Sequence, residues 1–279
     1  MDKSKIKNFI IILLALVNFC LLFIVISGDI EERNAAAFRT QALVTVLSEH
    51  GIKLNPNIDL PESIPPLLSL KRDLGTEKDR ISALIGSCTA EDQGGNSYYY
   101  QGEDGNAEFS GTGEFNISMN AGAISTGKDP VASAKAALNK LNIQAGDIDP
   151  IVTDDGTNTT VTLYCSWDGT SIYNAKIDVI FNSDYLWLIS GVRPLDTKYL
   201  IKSSENYPDS VTILMKFLKF VNDTGYVCSE INDLTIVYNM YSAVSENCTL
   251  RPVWCVKTDS GLYYIDAATG QAEIVESAV

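Results

Sequence analysis

One uninterrupted apolar stretch near the N-terminus constrains this chain more than any other feature. The nineteen residues from Phe9 to Ser27 carry no charge, and Asn18 is the one strongly polar side chain in mid-stretch. A helix of this length rises roughly 28 Å, about the thickness of the hydrocarbon core of a bilayer. The apolar core of a cleaved signal peptide is shorter, about 7–15 residues. The stretch therefore predicts a retained transmembrane helix over residues 9–27.

The charges on either side of this stretch predict its orientation. Lys3, Lys5 and Lys7 precede it, whereas Arg33 is the one basic residue that follows closely. Lys and Arg accumulate on the cytoplasmic side of a span. We therefore expect a cytoplasmic tail of residues 1–8 and an extracytoplasmic remainder, in a single-pass protein of the cell membrane.

The composition excludes some function classes. The formal net charge of the chain is −14 at pH 7, so its surface repels nucleic acid and we expect no nucleic-acid partner. Five cysteines follow the apolar stretch, an odd number, and their spacing matches neither a zinc site nor a redox pair. The sequence leaves the disulfide pairing open among Cys88, Cys165, Cys228, Cys248 and Cys255.

The first segments after the apolar stretch alternate between helix and connector. Apolar residues recur at helical spacing over residues 34–50 and end at Gly51, which predicts a juxtamembrane helical stalk over residues 28–53. Four prolines then indicate an extended connector over 54–70. A helix over 77–85 with Thr76 as N-cap, followed by three short strands, predicts an N-terminal α+β subdomain over 54–126.

The rest of the chain, 127–279, shows two further units of the same order. The first, 127–203, begins with a helix at Pro130 and continues with a hairpin whose turn is Asp168-Gly169. The second, 204–279, opens a helix at Pro208-Asp209 and ends in three strands. The fold class predicted from these patterns is α+β, a single transmembrane helix followed by repeated helix-plus-antiparallel-sheet modules.

The sequence shows no pattern typical of a catalytic site. Its one histidine, His50, lies at a helix end, and no serine or cysteine stands in the context of a nucleophile. We expect no catalytic residue, no metal site and no cofactor. The run Tyr98, Tyr99 and Tyr100 turns at least one ring outward from its strand, so it is a candidate contact surface.

A second candidate contact lies within the apolar stretch. The amide of Asn18 would lose hydrogen bonds in lipid, whereas it can bond across a helix interface for roughly 0.6–2 kcal/mol. Leu14 and Leu22 lie four residues away on either side and share its helix face. The hypothesis is that Leu14, Asn18 and Leu22 contact a partner's membrane helix; the alternative is that a single Asn is tolerated there.

Several short motifs resemble one known family. They are Met1-Asp2-x-Ser4-Lys5-Ile6-Lys7, Leu47-x-x-His50-Gly51-Ile52, Ile64-Pro65, Tyr100-x-Gly102 with Phe109 and Gly113-x-Phe115, Leu250-Arg251-Pro252-Val253-Trp254, and Tyr264-Ile265-Asp266-Ala267-x-Thr269-Gly270. Together they resemble the YycI proteins of Gram-positive bacteria, and the C-terminal motifs are also similar to PepSY-type modules.

The resemblance implies a function and partners. YycI proteins are membrane-anchored accessory regulators that act with a sister protein, YycH, on the cell-wall sensor histidine kinase WalK. For this chain, the resemblance therefore implies a non-enzymatic regulator that modulates a sensor kinase through transmembrane and extracytoplasmic contacts. Two alternatives stay open: a PepSY-like binding or inhibitor module for a protease or wall hydrolase, and an exported hydrolase that uses an unrecognised pair of carboxylates.

Overall fold

The computed structural model describes Asn18, Ala35 and residues 37–200, 207–242 and 247–277, with the backbone alone for 199–200 and 273–277. Its helices are α1 (37–49), α2 (Leu74–Ile85), α3 (Pro130–Lys140) and α4 (Ser210–Thr224). Its strands are β1 (Lys53–Leu54), β2 (Leu68–Lys71), β3 (Thr89–Gly94), β4 (Ser97–Gln101), β5 (Gly105–Ser110), β6 (Glu114–Met119), β7 (Ile151–Asp154), β8 (Asn158–Trp167), β9 (Thr170–Asn182), β10 (Tyr185–Val192), β11 (Thr197–Leu200), β12 (Glu230–Ser242), β13 (Asn247–Thr258), β14 (Gly261–Asp266) and β15 (Ala272–Ser277).

An aspartate caps the N-terminus of each of the helices α2, α3 and α4. The carboxylates of Asp73, Asp129 and Asp209 accept hydrogen bonds from the first backbone N–H groups, which have no partner within the helix. Helix α2 consequently begins at Leu74, three residues before the predicted start, because Asp73 and not Thr76 is its cap. The predicted helix start at Pro130 is confirmed, and the helix predicted to open at Pro208-Asp209 begins at Ser210, with Asp209 as its cap.

The fifteen strands form one mixed sheet, and this contradicts the predicted repeated modules behind a transmembrane helix. Strands β3 to β6 make an antiparallel meander, and β6 pairs with β10, which joins it to the β7–β10 meander. The alternation of apolar residues shows which face of a strand is buried, but not which distant strand lies at its edge. Sequence patterns therefore could not show that the sheets are continuous.

A single parallel contact joins the two halves of this sheet. Tyr238 of β12 pairs with Ile172 of β9, and because β9 begins at Thr170 it does not extend beside the N-terminal part of β12. Nearby, the side-chain amide of Asn174 donates to the carbonyl of Met240 and accepts from its N–H, each at 2.8 Å. A side chain thus continues the ladder towards the C-terminal end of β12, whereas the gap between the halves lies on the other side of Tyr238, where β9 is preceded by the turn at Asp168-Gly169.

The helices cover the sheet in pairs. Helices α2 and α3 pack over the half built from β3 to β10, in one hydrophobic core. Helices α1 and α4 pack over the other half, where Leu43 and Leu47 join a core with Phe217 and Trp254. Helix α1 therefore packs against the sheet domain with its apolar stripe buried.

No helix in the described part of the chain is long and apolar enough to cross a bilayer. This finding contradicts the predicted single-pass membrane location. The predicted span over 9–27 lies outside the described residues apart from Asn18, which is helical and exposed. An apolar run gives the composition of a span, whereas spanning also requires a continuous helix of about 20 residues.

Candidate functional site

A groove of about 700 Å³ lies between the two halves of the sheet, beside the N-terminal half of β12. Its floor is the sheet face that carries Thr235, Val237, Cys255 and Tyr264, on the side opposite to α1 and α4. Its walls are the loop 147–149, which follows α3, and the turn 169–171 between β8 and β9. We call this space the central groove.

A second cavity of about 430 Å³ continues the central groove around the edge of β12. It lies between β12 and the connector that contains Asp59, Pro61 and Ile64. The two spaces share Asp233, Thr235 and Ile236 of β12, together with the turn residue Thr170. The edge of β12 therefore borders both the central groove and the second cavity.

Aromatic and aliphatic side chains hold the floor of the central groove. The rings of Tyr173 and Tyr264 stack with centroids 4.0 Å apart and an interplanar angle of 17°. They pack with Val237, Val253 and Cys255 in a small apolar cluster. Because Tyr173 belongs to β9 and the other residues to β12, β13 and β14, this cluster fixes the two halves of the sheet relative to each other.

The rim of the groove is acidic. Asp59, Asp147 and Asp149 are exposed, Asp233 is half-buried, and none of the four forms an ion pair within the described residues. Among the described residues, Lys257, opposite Asp233 in the β12–β13 ladder, is the one basic residue that lines the central groove. The combined charge attracts a cationic partner, and the apolar floor gives such a partner surface to bury.

The groove offers surfaces for contact and little for covalent chemistry. Burial raises the pKa of the Cys255 thiol to about 11, so this sulfur is protonated and poorly nucleophilic at neutral pH. None of the described residues that line the central groove is a histidine, which could activate its threonine and serine hydroxyls. Within the described residues, no three potential metal ligands come together.

A buried cluster of charges lies away from the groove. The carboxylate of Glu77 accepts from Arg72 Nη2 at 2.6 Å, from Arg193 Nη2 at 2.5 Å and from the Tyr100 hydroxyl at 2.8 Å. Asp196 in turn accepts from Arg193 Nη1 at 2.8 Å. Burial, followed by the hydrogen bond to Glu77, raises the pKa of Tyr100.

This charge cluster holds together segments that are distant in the sequence. Glu77 lies on α2, Arg72 directly follows β2, and Arg193 and Asp196 follow β10. The side chains of Arg72, Glu77, Arg193 and Asp196 are each less than 5% exposed. Arg80 also donates to Asp196 Oδ1 at 2.5 Å, so three guanidinium groups and two carboxylates are paired with one another, and this pairing offsets the cost of burying them.

The structure separates the three tyrosines proposed as a contact surface. Tyr100 is 1% exposed and belongs to the core. Tyr98 is half-buried beneath Arg72, whose guanidinium lies 5.2 Å from the ring centroid. Tyr99 is half-buried on the other face and donates to Gln101 Oε1 at 2.9 Å.

The other proposed contact can be located only in part. Leu14 and Leu22 lie outside the described residues, and Asn18 is exposed. None of the groove residues was proposed as a site from the sequence, because they come from five separate segments. Their acidic character was the one available signal, and it is shared with much of this chain.

The five described cysteines are free and buried. Burial raises the pKa of the thiols of Cys228, Cys248 and Cys255 to about 11, and that of Cys165 to about 12. At pH 8 a thiol of pKa 11 is roughly 0.1% thiolate, compared with about a quarter for an unperturbed cysteine.

We expect these buried thiols to resist modification in the folded protein. In a Cys20→Ser variant at pH 8, an aromatic disulfide reagent should modify the five remaining thiols at least a hundredfold more slowly than in 6 M guanidinium. The rates are measured from the absorbance of the released thiolate. One thiol that reacts at the denatured rate in the folded protein would contradict the burial described above.

Comparisons with known proteins find structural similarity but no matching sequence family. No protein-family model and no curated protein match the chain. Among solved structures, an uncharacterised protein from Eubacterium rectale ATCC 33656 aligns with 81% of this chain and 90% of its own, at a TM-score of 0.46 and 10% sequence identity. A similarity of this degree supports no statement about the fold or the function.

Proposed function

We propose that this chain is a non-enzymatic regulatory protein that binds a partner protein in the central groove. The observation that carries the proposal is an apolar floor beside four carboxylates, Asp59, Asp147, Asp149 and Asp233, that form no ion pair with any described residue. An apolar floor with a charged rim is the usual composition of a protein-binding surface. The groove's one thiol is protonated, which favours binding over nucleophilic catalysis.

The resemblance to YycI proteins supplies the partner in this proposal. It names a sensor histidine kinase of the WalK type, together with a YycH-like sister protein. Regulation would follow if the groove binds one conformation of the kinase better than another, because a binding protein shifts an equilibrium only by its differential affinity. The charge of the groove requires a basic surface on the partner.

The proposal is tested by reconstituting the full chain with the WalK-type kinase of the same genome in lipid vesicles. The measurement is the rate of kinase autophosphorylation as the chain is titrated. The triple variant Asp147→Asn, Asp149→Asn, Asp233→Asn should require about tenfold more protein for half its effect. Three lost attractions of up to about 1 kcal/mol each, partly screened by salt, account for a change of this size.

A matched variant controls for net charge. Glu91→Gln, Glu108→Gln and Glu114→Gln also remove three exposed charges, but on β3, β5 and β6, far along the sheet from the groove. This variant should behave as the wild-type chain. Equal effects of the two triple variants would contradict binding in the groove, and an unresponsive kinase would contradict the proposed partner. Inhibition of a protease in place of the kinase would favour the PepSY-like alternative.

A further inference from the structure

We infer that the partner contributes an extended basic segment, which adds as a strand to the open edge of β12. This inference rests on the proposed function, because it specifies how the same groove binds. The open edge is defined as Asp233–Val237 on the side of β12 that faces away from β13.

The edge is open because strands cover β12 only at its two ends on this side. Strand β1 pairs with Glu230 and Ile231, and β9 pairs with Tyr238. Between these contacts no strand in the described part of the chain pairs with β12, although its other side is paired with β13 continuously from Asp233 to Ser242. An unpaired stretch inside a sheet presents backbone donors and acceptors to an incoming strand.

The outward backbone groups can be assigned by parity. The N–H and C=O of Met240 face Asn174, on the side of β9. Because these groups alternate sides along a strand, those of Ile236 and Leu234 face the same way. The N–H of Leu234 already donates to Asp233 Oδ1 at 2.9 Å. The C=O of Leu234 and both groups of Ile236 therefore face the open edge.

The chain's own connector does not close this edge. It runs beside β12 and leaves the cavity of about 430 Å³ between them. Pro61 and Pro65 line that cavity and have no N–H to donate, so the connector is a poor strand partner there. Ile64 packs into the core of α1 and α4, which holds the connector in place beside the edge.

The two faces of β12 specify the side chains of the incoming strand. Asp233, Thr235 and Val237 face the central groove, where Asp147 and Asp149 add negative charge. Leu234 and Ile236 face the opposite side, in the apolar core. A strand added here alternates its side chains in the same way. We therefore expect Lys or Arg at alternate positions, with Val, Ile or Leu between them.

The test uses the full chain and a fluorescent heptapeptide, acetyl-KVKVKVK-amide, with binding followed by anisotropy. Saturable binding that weakens as salt is raised is expected, whereas the acidic peptide EVEVEVE should not bind. Methylation of alternate backbone nitrogens on the edge that bonds β12 should weaken binding at least tenfold, since it removes strand hydrogen bonds and keeps the charge. A peptide of the same composition in the order KKKKVVV should also bind at least tenfold more weakly.

A variant of the edge gives a second measurement. Ile236→Pro removes an outward N–H and leaves the hydrogen bonds between β12 and β13 in place, and Ile236→Val is its control. With folding verified by circular dichroism, the proline variant should bind KVKVKVK at least tenfold more weakly than the control. If the proline variant does not fold, the methylated peptide alone decides.

The outcomes separate this inference from the proposed function. Equal binding of methylated and unmethylated KVKVKVK, or no binding of KVKVKVK, would overturn strand addition. In either case the kinase assay with the groove triple variant still decides the proposed function. A chain that binds the peptide but does not affect the kinase would retain the inferred binding mode and lose the proposed partner.

Discussion

Glu77→Gln is expected to lower the free energy of unfolding by about 3–5 kcal/mol, the cost of breaking a buried ion pair by removing one partner. The carboxylate accepts from both Arg72 and Arg193, at 2.6 and 2.5 Å, and its own side chain is 1% exposed. The neutral amide keeps the shape but removes the negative charge. It also turns an NH₂ group towards donors, so two guanidinium groups stay buried with incomplete compensation.

The measurement is urea denaturation, in which a shifted midpoint with an unchanged slope reports stability alone. Asp223→Asn is the control, because it breaks the ion pair with Lys219 on the surface of α4, where both side chains are more than 60% exposed. An exposed pair contributes at most about 1 kcal/mol, so this variant should unfold nearly as the wild type. Similar midpoints for the two variants would show that the Glu77 cluster contributes little to the free energy of unfolding.

Gly191→Ala is expected to destabilise the sheet by about 3–5 kcal/mol, through strain and overpacking together. Gly191 of β10 has φ +152°, a conformation that L residues rarely adopt. A Cβ at this position would lie 2.2 Å from the carbonyl oxygen of Lys176 and 2.7 Å from Cα of Ile177. Both are backbone atoms of β9, so relief requires β9 and β10 to separate.

Gly156→Ala is the matched control for backbone strain. Gly156 has φ +87°, but a Cβ there would meet no atom within 4 Å. Backbone strain alone should therefore lower the free energy of unfolding of this variant by about 1–2 kcal/mol. The difference is measured from its urea midpoint and that of the wild type. Equal losses for the two alanine variants would mean that β9 and β10 accommodate the added methyl group, contrary to the distances above.

The sequence by itself determined the local elements of this protein. Alternating residues predict the strands β8 and β9, and Asp168-Gly169 between them has φ +48° and +82°, as a two-residue hairpin turn requires. Asp129 with Pro130 fixes the start of α3, and Gly225, with φ +73°, ends α4. Each of these features depends on residues close in sequence, which is why sequence patterns reveal them.

Only the tertiary structure decided how these elements combine. The pairing of β6 with β10 joins segments about 70 residues apart, and no local period records such a partner. Glu77 likewise meets Arg193, 116 positions away in the chain. The central groove lies beside the N-terminal half of β12, because β9 begins at Thr170, just before the contact between Ile172 and Tyr238. Because the groove is a gap between elements, it depends on their relative positions, which the order of residues along the chain does not state.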